Sequence, residues 1–110
     1  IGLFFSKNNI PIDLVLSSEW CRCKDTAKFA FKKFQTFDAL NSFFSIKFQK
    51  NKEKQMVDLF EYLNKWRSNK NLILVTHYVV ILETLNIPVS SGEIVVVDKN
   101  LNLIGSISDY

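Results

Sequence analysis

The sequence predicts an α/β sandwich built on a largely parallel sheet, and three observations carry that expectation. Two short apolar runs, Ile12-Asp13-Leu14-Val15-Leu16 and Leu72-Ile73-Leu74-Val75, have the length and strand-former content of β-strands. The second is apolar throughout, as strands covered on both faces are. Segments of helical apolar period lie between and after these runs. Composition agrees: of 110 residues 47% are hydrophobic, with ten Phe, and 23% are charged, enough for one packed domain and unlike a disordered chain.

The elements follow in order. Ile1-Gly2-Leu3-Phe4-Phe5 reads as the end of a helix, so the chain is expected to be incomplete or processed at its amino terminus. Ile10-Pro11 leads into the first strand, which ends at Ser17-Ser18. Ser18 is a good helix N-cap, with Glu19 in the first turn. Over residues 20–34 the apolar positions Cys23, Ala27, Ala30, Phe31 and Phe34 recur at helical spacing. Residues 35–51 lack a clear period and predict a loop with a short helical turn near residues 38–44. Phe37, Phe43, Phe44 and Phe48 in that loop are assigned to covering the core. Over residues 52–67, Met56, Leu59, Phe60, Leu63 and Trp66 mark a second amphipathic helix. Asn69-Lys70-Asn71 is a turn. Thr76-His77 ends the second apolar strand, and residues 79–85 predict a short helix. Residues 93–98 and 101–107, joined at Lys99-Asn100, predict a terminal antiparallel hairpin.

Several function classes are disfavoured. The net charge of +3 is scattered, with no basic stripe interleaved with stacking residues, so nucleic-acid binding is not expected. No apolar run approaches the roughly 20 residues that span a bilayer, and no signal peptide is visible. Cys21 and Cys23 lie within a predicted helix, where a disulfide would close a tiny loop, so free thiols are expected. They lack the partners of a zinc site, because the one histidine is distant in sequence. A cysteine-dependent phosphatase would need an arginine six residues after the cysteine, where Ala27 and Phe29 stand.

Chemistry is expected at the strand ends. Ser17-Ser18-Glu19-Trp20-Cys21-Arg22 and Thr76-His77 each follow a predicted parallel strand, and open α/β sheets bind ligands at that rim. A helix opening after the two serines presents free N–H groups to an anion. Arg22 in its first turn adds a planar bidentate donor for phosphate oxygens. An arginine near a helix start and a histidine after a strand are also common without any ligand, so position alone leaves a purely structural reading open.

Residues 15–27, Val-Leu-Ser-Ser-Glu-Trp-Cys-Arg-Cys-Lys-Asp-Thr-Ala, resemble the histidine phosphatase motif S-S-x-x-x-R-A-x-x-T-A, with Cys23 at the small alanine. Residues 72–77 resemble the same family's apolar strand ending in Thr-His or Ser-His. Leu40-Asn41-Ser42-Phe43-Phe44 and residues 91–96 are similar to features of a small bacterial branch of it. The resemblance implies a three-layer phosphoglycerate mutase-like sandwich, of which residues 1–110 form the carboxy-terminal two-thirds. It also implies phosphomonoester hydrolysis through a phosphohistidine, without metal or organic cofactor, on a phosphorylated small molecule or other phosphoester.

On that resemblance Arg22 is the second arginine, gripping phosphoryl oxygens, and His77 the second histidine, donating to the same group. Ser17, Ser18 and Thr76 are candidates for holding those two, and Asn41 for touching substrate or capping a turn. Glu93 is the first candidate for proton donor, ahead of Glu19 and Asp38. The nucleophilic histidine of an Arg-His-Gly motif is not present, since His77 is the only histidine. The chain by itself is therefore expected to be nearly inactive. In the family the preceding segment supplies a central strand, so exposed sheet edges and association are expected without it. A non-catalytic anion-binding relative and a structural α/β domain remain the alternatives.

Overall fold

The structure is a computed structural model that describes residues 1–110. It is a mixed helix-and-strand fold around a small parallel sheet. β1 (Ile12–Ser17) lies in the middle of that sheet, between β2 (Gln35–Thr36) and β3 (Asn71–Val75). Leu16 stands opposite Leu74 and Ser17 opposite Val75, with an irregularity between Ile12 and Leu14. Parallel neighbours need long crossovers, and α2 (Cys21–Phe31) and α3 (Lys52–Lys65) lie within them. β1 pairs parallel with both neighbours, and β3 has no partner on its outer edge.

The pairing continues past the end of β1. The Ser18 N–H donates to the Val75 carbonyl at 3.0 Å, and the Phe37 N–H donates to the Ser17 carbonyl at 2.8 Å. The two serines are thus fixed between both neighbouring strands at their carboxyl ends.

α2 departs from expectation at both ends. Trp20, in extended conformation, and not Ser18, takes the N-cap position, so Glu19 falls outside the first turn. The reason is that the Ser18 hydroxyl is engaged across the sheet rim, as set out below. The helix stops at Phe31, three residues early, because Lys32 adopts φ 69° and ψ −52°, a tight-turn conformation that a helix cannot continue through, with the Lys33 N–H donating to the Phe31 carbonyl at 2.7 Å. The following residues lead directly into β2, a two-residue strand the sequence pattern did not show. α1 (Gly2–Lys7) lies against α2 so closely that a Cβ on Gly2 would collide with the Ala30 carbonyl.

Residues 35–51 hold β2 and two 3-10 turns, Asp38–Leu40 and Ile46–Asn51, the second running into α3. Phe43 is buried, and Phe37 and Phe48 pack on the core, but Phe44 is 75% exposed and covers nothing. On α3, Met56 and Leu59 are buried as their spacing predicts. Phe60 faces solvent, and Gln55 is buried in addition. Gln55 is drawn inward by hydrogen bonding: its Nε2 donates to the Asn41 carbonyl at 2.7 Å and to the Ala39 carbonyl at 3.3 Å.

The core joins Leu16 of β1, Ala39, Leu40 and Phe43 of the intervening loop, Met56 and Leu59 of α3, and Val80 of α4 (Tyr78–Leu85). Leu16 directly precedes Ser17, Leu40 directly precedes Asn41, and Val80 lies one turn beyond His77. The packed core therefore holds the backbone from which the candidate site projects.

The expected hairpin forms from β4 (Ile94–Val97) and β5 (Leu103–Ile107), antiparallel and each shorter than predicted. It is a separate two-stranded sheet. No hydrogen bond joins residues 87–110 to the preceding chain. No helix is long and apolar enough to cross a membrane.

Candidate functional site

Parallel pairing of β1 with β3 sets Ser17-Ser18 beside Thr76-His77, at the carboxyl ends of adjacent strands. Ser17 and Ser18 are fully buried and His77 is 7% exposed. Buried polar groups of this kind need partners, and their bonding is complete enough to assign protons.

Asn41, just after the first 3-10 turn, ties the network together. The backbone N–H of Glu19 can only donate, and it lies 2.8 Å from Asn41 Oδ1. That fixes the orientation of the amide, whose Nδ2 then donates to Glu19 Oε1 at 2.9 Å. Oδ1 also lies 3.1 Å from Ser18 Oγ, and an amide oxygen cannot donate, so the Ser18 hydroxyl must. Ser18 Oγ accepts the Trp20 N–H at 3.2 Å, which leaves it one lone pair. His77 Nε2 lies 2.8 Å from the same oxygen and therefore donates to it. Neutral His77 is accordingly the Nε2–H tautomer.

Neighbouring contacts hold this arrangement. The Thr76 hydroxyl donates to the Leu40 carbonyl at 2.7 Å, clamping the turn that bears Asn41 onto the end of β3. The Ser17 hydroxyl donates to the Ser18 carbonyl at 2.8 Å. The Trp20 indole meets the His77 ring edge-on, with centroids 5.1 Å apart. Cys23 Sγ sits 3.5 Å from the Thr76 carbonyl and 3.6 Å from His77 Nε2. Cysteine and histidine, 54 positions apart in sequence, are thus adjacent in space, which the sequence spacing did not suggest. Both cysteines are free, Cys21 exposed and Cys23 buried.

The Arg22 guanidinium makes no hydrogen bond or salt bridge, and the residue is exposed. The N–H groups of Cys21 and Arg22, at the start of α2, have no backbone partner either. Electrostatics around this free guanidinium are coherent. Burial pushes His77 below its ordinary value, and the Arg22 charge pushes it further the same way. Burial raises the Cys23 thiol, opposed by the neighbouring Ser18 hydroxyl and by the charge of Arg22.

A serine 2.8 Å from a histidine invites comparison with a nucleophile-base dyad, and the bonding argues against it. Ser18 is sealed from solvent, and its proton points to Asn41 and not to His77. Cys23 is buried with a raised pKa, so it is a thiol near neutral pH. What the arrangement offers an oxyanion is a free cation, free helix N–H groups and one open imidazole nitrogen that becomes a donor only when the ring is protonated, without an activated nucleophile.

The structure gathers Arg22, His77, Ser18, Thr76 and Asn41 at one rim, with Glu19 tied to it through Asn41. Glu93 is elsewhere engaged: its carboxylate accepts the Ser90 N–H of its own turn at 3.0 Å, and no hydrogen bond links it to the cluster. Asp38 is exposed at the start of its 3-10 turn, without a hydrogen bond to the cluster. Cys23 and Trp20 were not among the sequence candidates. Their one sequence signal is their place in the same strand-to-helix segment as Arg22. Searches with protein-family models, against curated proteins and against solved structures find no match to this chain.

Proposed function

We propose that this chain is the carboxy-terminal part of a histidine phosphatase (phosphoglycerate mutase-like) domain, in which Arg22 and His77 hold the phosphoryl group of a phosphomonoester. The observation that carries this reading is the hydrogen bond from His77 to Ser18 at 2.8 Å, which unites the two motifs on neighbouring parallel strands. The open outer edge of β3 and the separate β4–β5 sheet support the three-layer sandwich. The family resemblance assigns a further, central strand, carrying Arg-His-Gly, to the segment preceding residue 1.

In the complete domain the nucleophilic histidine attacks phosphorus, and the alkoxide leaves with a proton from a carboxylic acid. Arg22 neutralises the phosphoryl oxygens, and His77, once protonated at Nδ1, donates to them as charge develops. Glu19, held beside the cluster by Asn41, has the better position for the acid than Glu93 in this geometry.

A second reading is favoured by the state of Ser18 and Cys23, neither of which is activated for attack. Residues 1–110 alone then bind the phosphoryl group without turning it over. The test is vanadate or phosphate binding, together with a phosphomonoesterase assay, on this chain and on one joined upstream to a strand bearing Arg-His-Gly. Binding by the 110-residue chain, lost in Arg22→Ala and in His77→Ala, and turnover only with the added strand are expected. Binding indifferent to both substitutions would sink the phosphoryl site, and turnover surviving His77→Ala would sink the mechanism.

A further inference from the structure

We propose that Asn41 and Ser18 hold His77 as its Nε2–H tautomer, so that an oxyanion binds at Arg22 and His77 together with a proton taken up on Nδ1. This deepens the phosphoryl-site reading and rests on it. The hydrogen-bond assignments follow from groups with no freedom. The Glu19 N–H fixes the Asn41 amide, Asn41 Oδ1 takes the Ser18 proton, and Ser18 Oγ takes Nε2–H. Ser18 cannot turn its proton toward the imidazole without leaving Oδ1.

The other ring nitrogen, Nδ1, makes no hydrogen bond within the chain. No fully buried side-chain nitrogen or oxygen lacks a partner, so Nδ1 reaches solvent. In the neutral ring Nδ1 carries a lone pair, which repels the oxygen of an anion. Protonation turns it into a donor and adds a second positive charge near Arg22. An anion that binds the protonated ring better must raise the proton affinity of the ring by the same factor.

The charged and titratable groups around His77 are consistent with that coupling. From α2 come Arg22, which opposes protonation until an anion neutralises it, and the Cys23 thiol. Glu19 faces the ring through Asn41 and Ser18 and is exposed. On α4, Tyr78 follows the histidine, and Glu83 is paired with Lys52. The loop before α3 contributes Asn41, which is uncharged.

The single histidine makes the experiment direct, since ¹⁵N-histidine labelling gives one pair of ring signals. Sulfate is the probe, because it stays a dianion across the working pH range and its own titration does not intrude. Above its titration, His77 in the unaltered chain should show a protonated Nε2 and a bare Nδ1. Saturating sulfate should raise its midpoint by about one pH unit, with binding about tenfold tighter in acid than at alkaline pH. Asn41→Ala frees the Ser18 proton for Nε2 and should shift the ring toward Nδ1–H, flattening the pH dependence of binding. Asn41→Asp retains an acceptor for Ser18 and should restore the Nε2–H form. A protonated Nδ1 in the unaltered chain, or sulfate binding that leaves the His77 midpoint unmoved, overturns the proposal. Sulfate failing to bind at any pH while the Nε2–H form is intact overturns the phosphoryl site, and the proton coupling falls with it. These readings on the unaltered chain decide the matter even where a variant does not fold.

Discussion

Gln55→Met tests how α3 supports the site without touching it. The replacement keeps length and volume and removes the amide that donates to the Asn41 carbonyl at 2.7 Å and the Ala39 carbonyl at 3.3 Å. The shorter bond contributes most, and its loss leaves a carbonyl in a partly buried place. Together the two losses amount to about 1.5–3 kcal/mol. The apolar thioether recovers about 0.5 kcal/mol of that by burial where Gln55 was. A net loss of about 1–2.5 kcal/mol corresponds to a fall in Tm of roughly 4–10 °C for a domain of this size. The assay is urea unfolding followed by the fluorescence of Trp20 and Trp66, with the m-value watched for any change in the denatured state. Because Asn41 loses an anchor, sulfate affinity should also fall several-fold at unchanged Arg22 and His77. An unfolding midpoint within about 0.5 kcal/mol of the original, with affinity intact, would refute the claim that Gln55 holds the Asn41 turn.

Further outcomes are expected. At neutral pH one thiol, Cys21, should react rapidly with a disulfide reagent, and Cys23 should react only when urea unfolds the chain; equal rates for both would contradict the buried Cys23. His77 lies below its ordinary value of 6.5 when folded, so the unfolded chain takes up the proton first. Its contribution to stability should be full above 6.5 and be lost as pH falls through that value toward the lower folded pKa. Unfolding midpoints of His77→Asn should lack that acid-side decline. Gly2→Ala should force α1 away from α2, whose Ala30 carbonyl occupies the space a Cβ needs, and separate Phe5 from Phe31, now 5.1 Å apart. A loss of about 1–3 kcal/mol is expected, and an unaltered unfolding curve would mean α1 adds nothing.

The apolar run at residues 12–16, the run at 72–75 and the spacing of Met56 and Leu59 were legible because burial on a regular element leaves a period. The failures occurred where polar bonding outweighs periodicity. Ser18 has the sequence of an N-cap, yet its proton goes to Asn41, which lies 23 positions away and which no local pattern connects to it. Gln55 lies outside the apolar period of α3 and is buried because two loop carbonyls need a donor. β2 was invisible because two residues carry no alternation. For the site, Arg22 and His77 were readable from strand ends, whereas the approach of Cys23 to His77 depends on β1–β3 register, which only folding supplies.

The separateness of the β4–β5 hairpin has a consequence in time. Opening of one part of a fold is governed by the bonds that cross its boundary, and here no hydrogen bond crosses at residue 87. Amide exchange over Ile94–Val97 and Leu103–Ile107 should therefore run ahead of exchange over Ile12–Ser17, as two cooperative units and not one. Glu93 belongs to the faster unit and His77 to the slower. Any chemistry that required both would be limited by how long the hairpin and the parallel sheet hold one arrangement, and its rate would report that before it reported proton transfer.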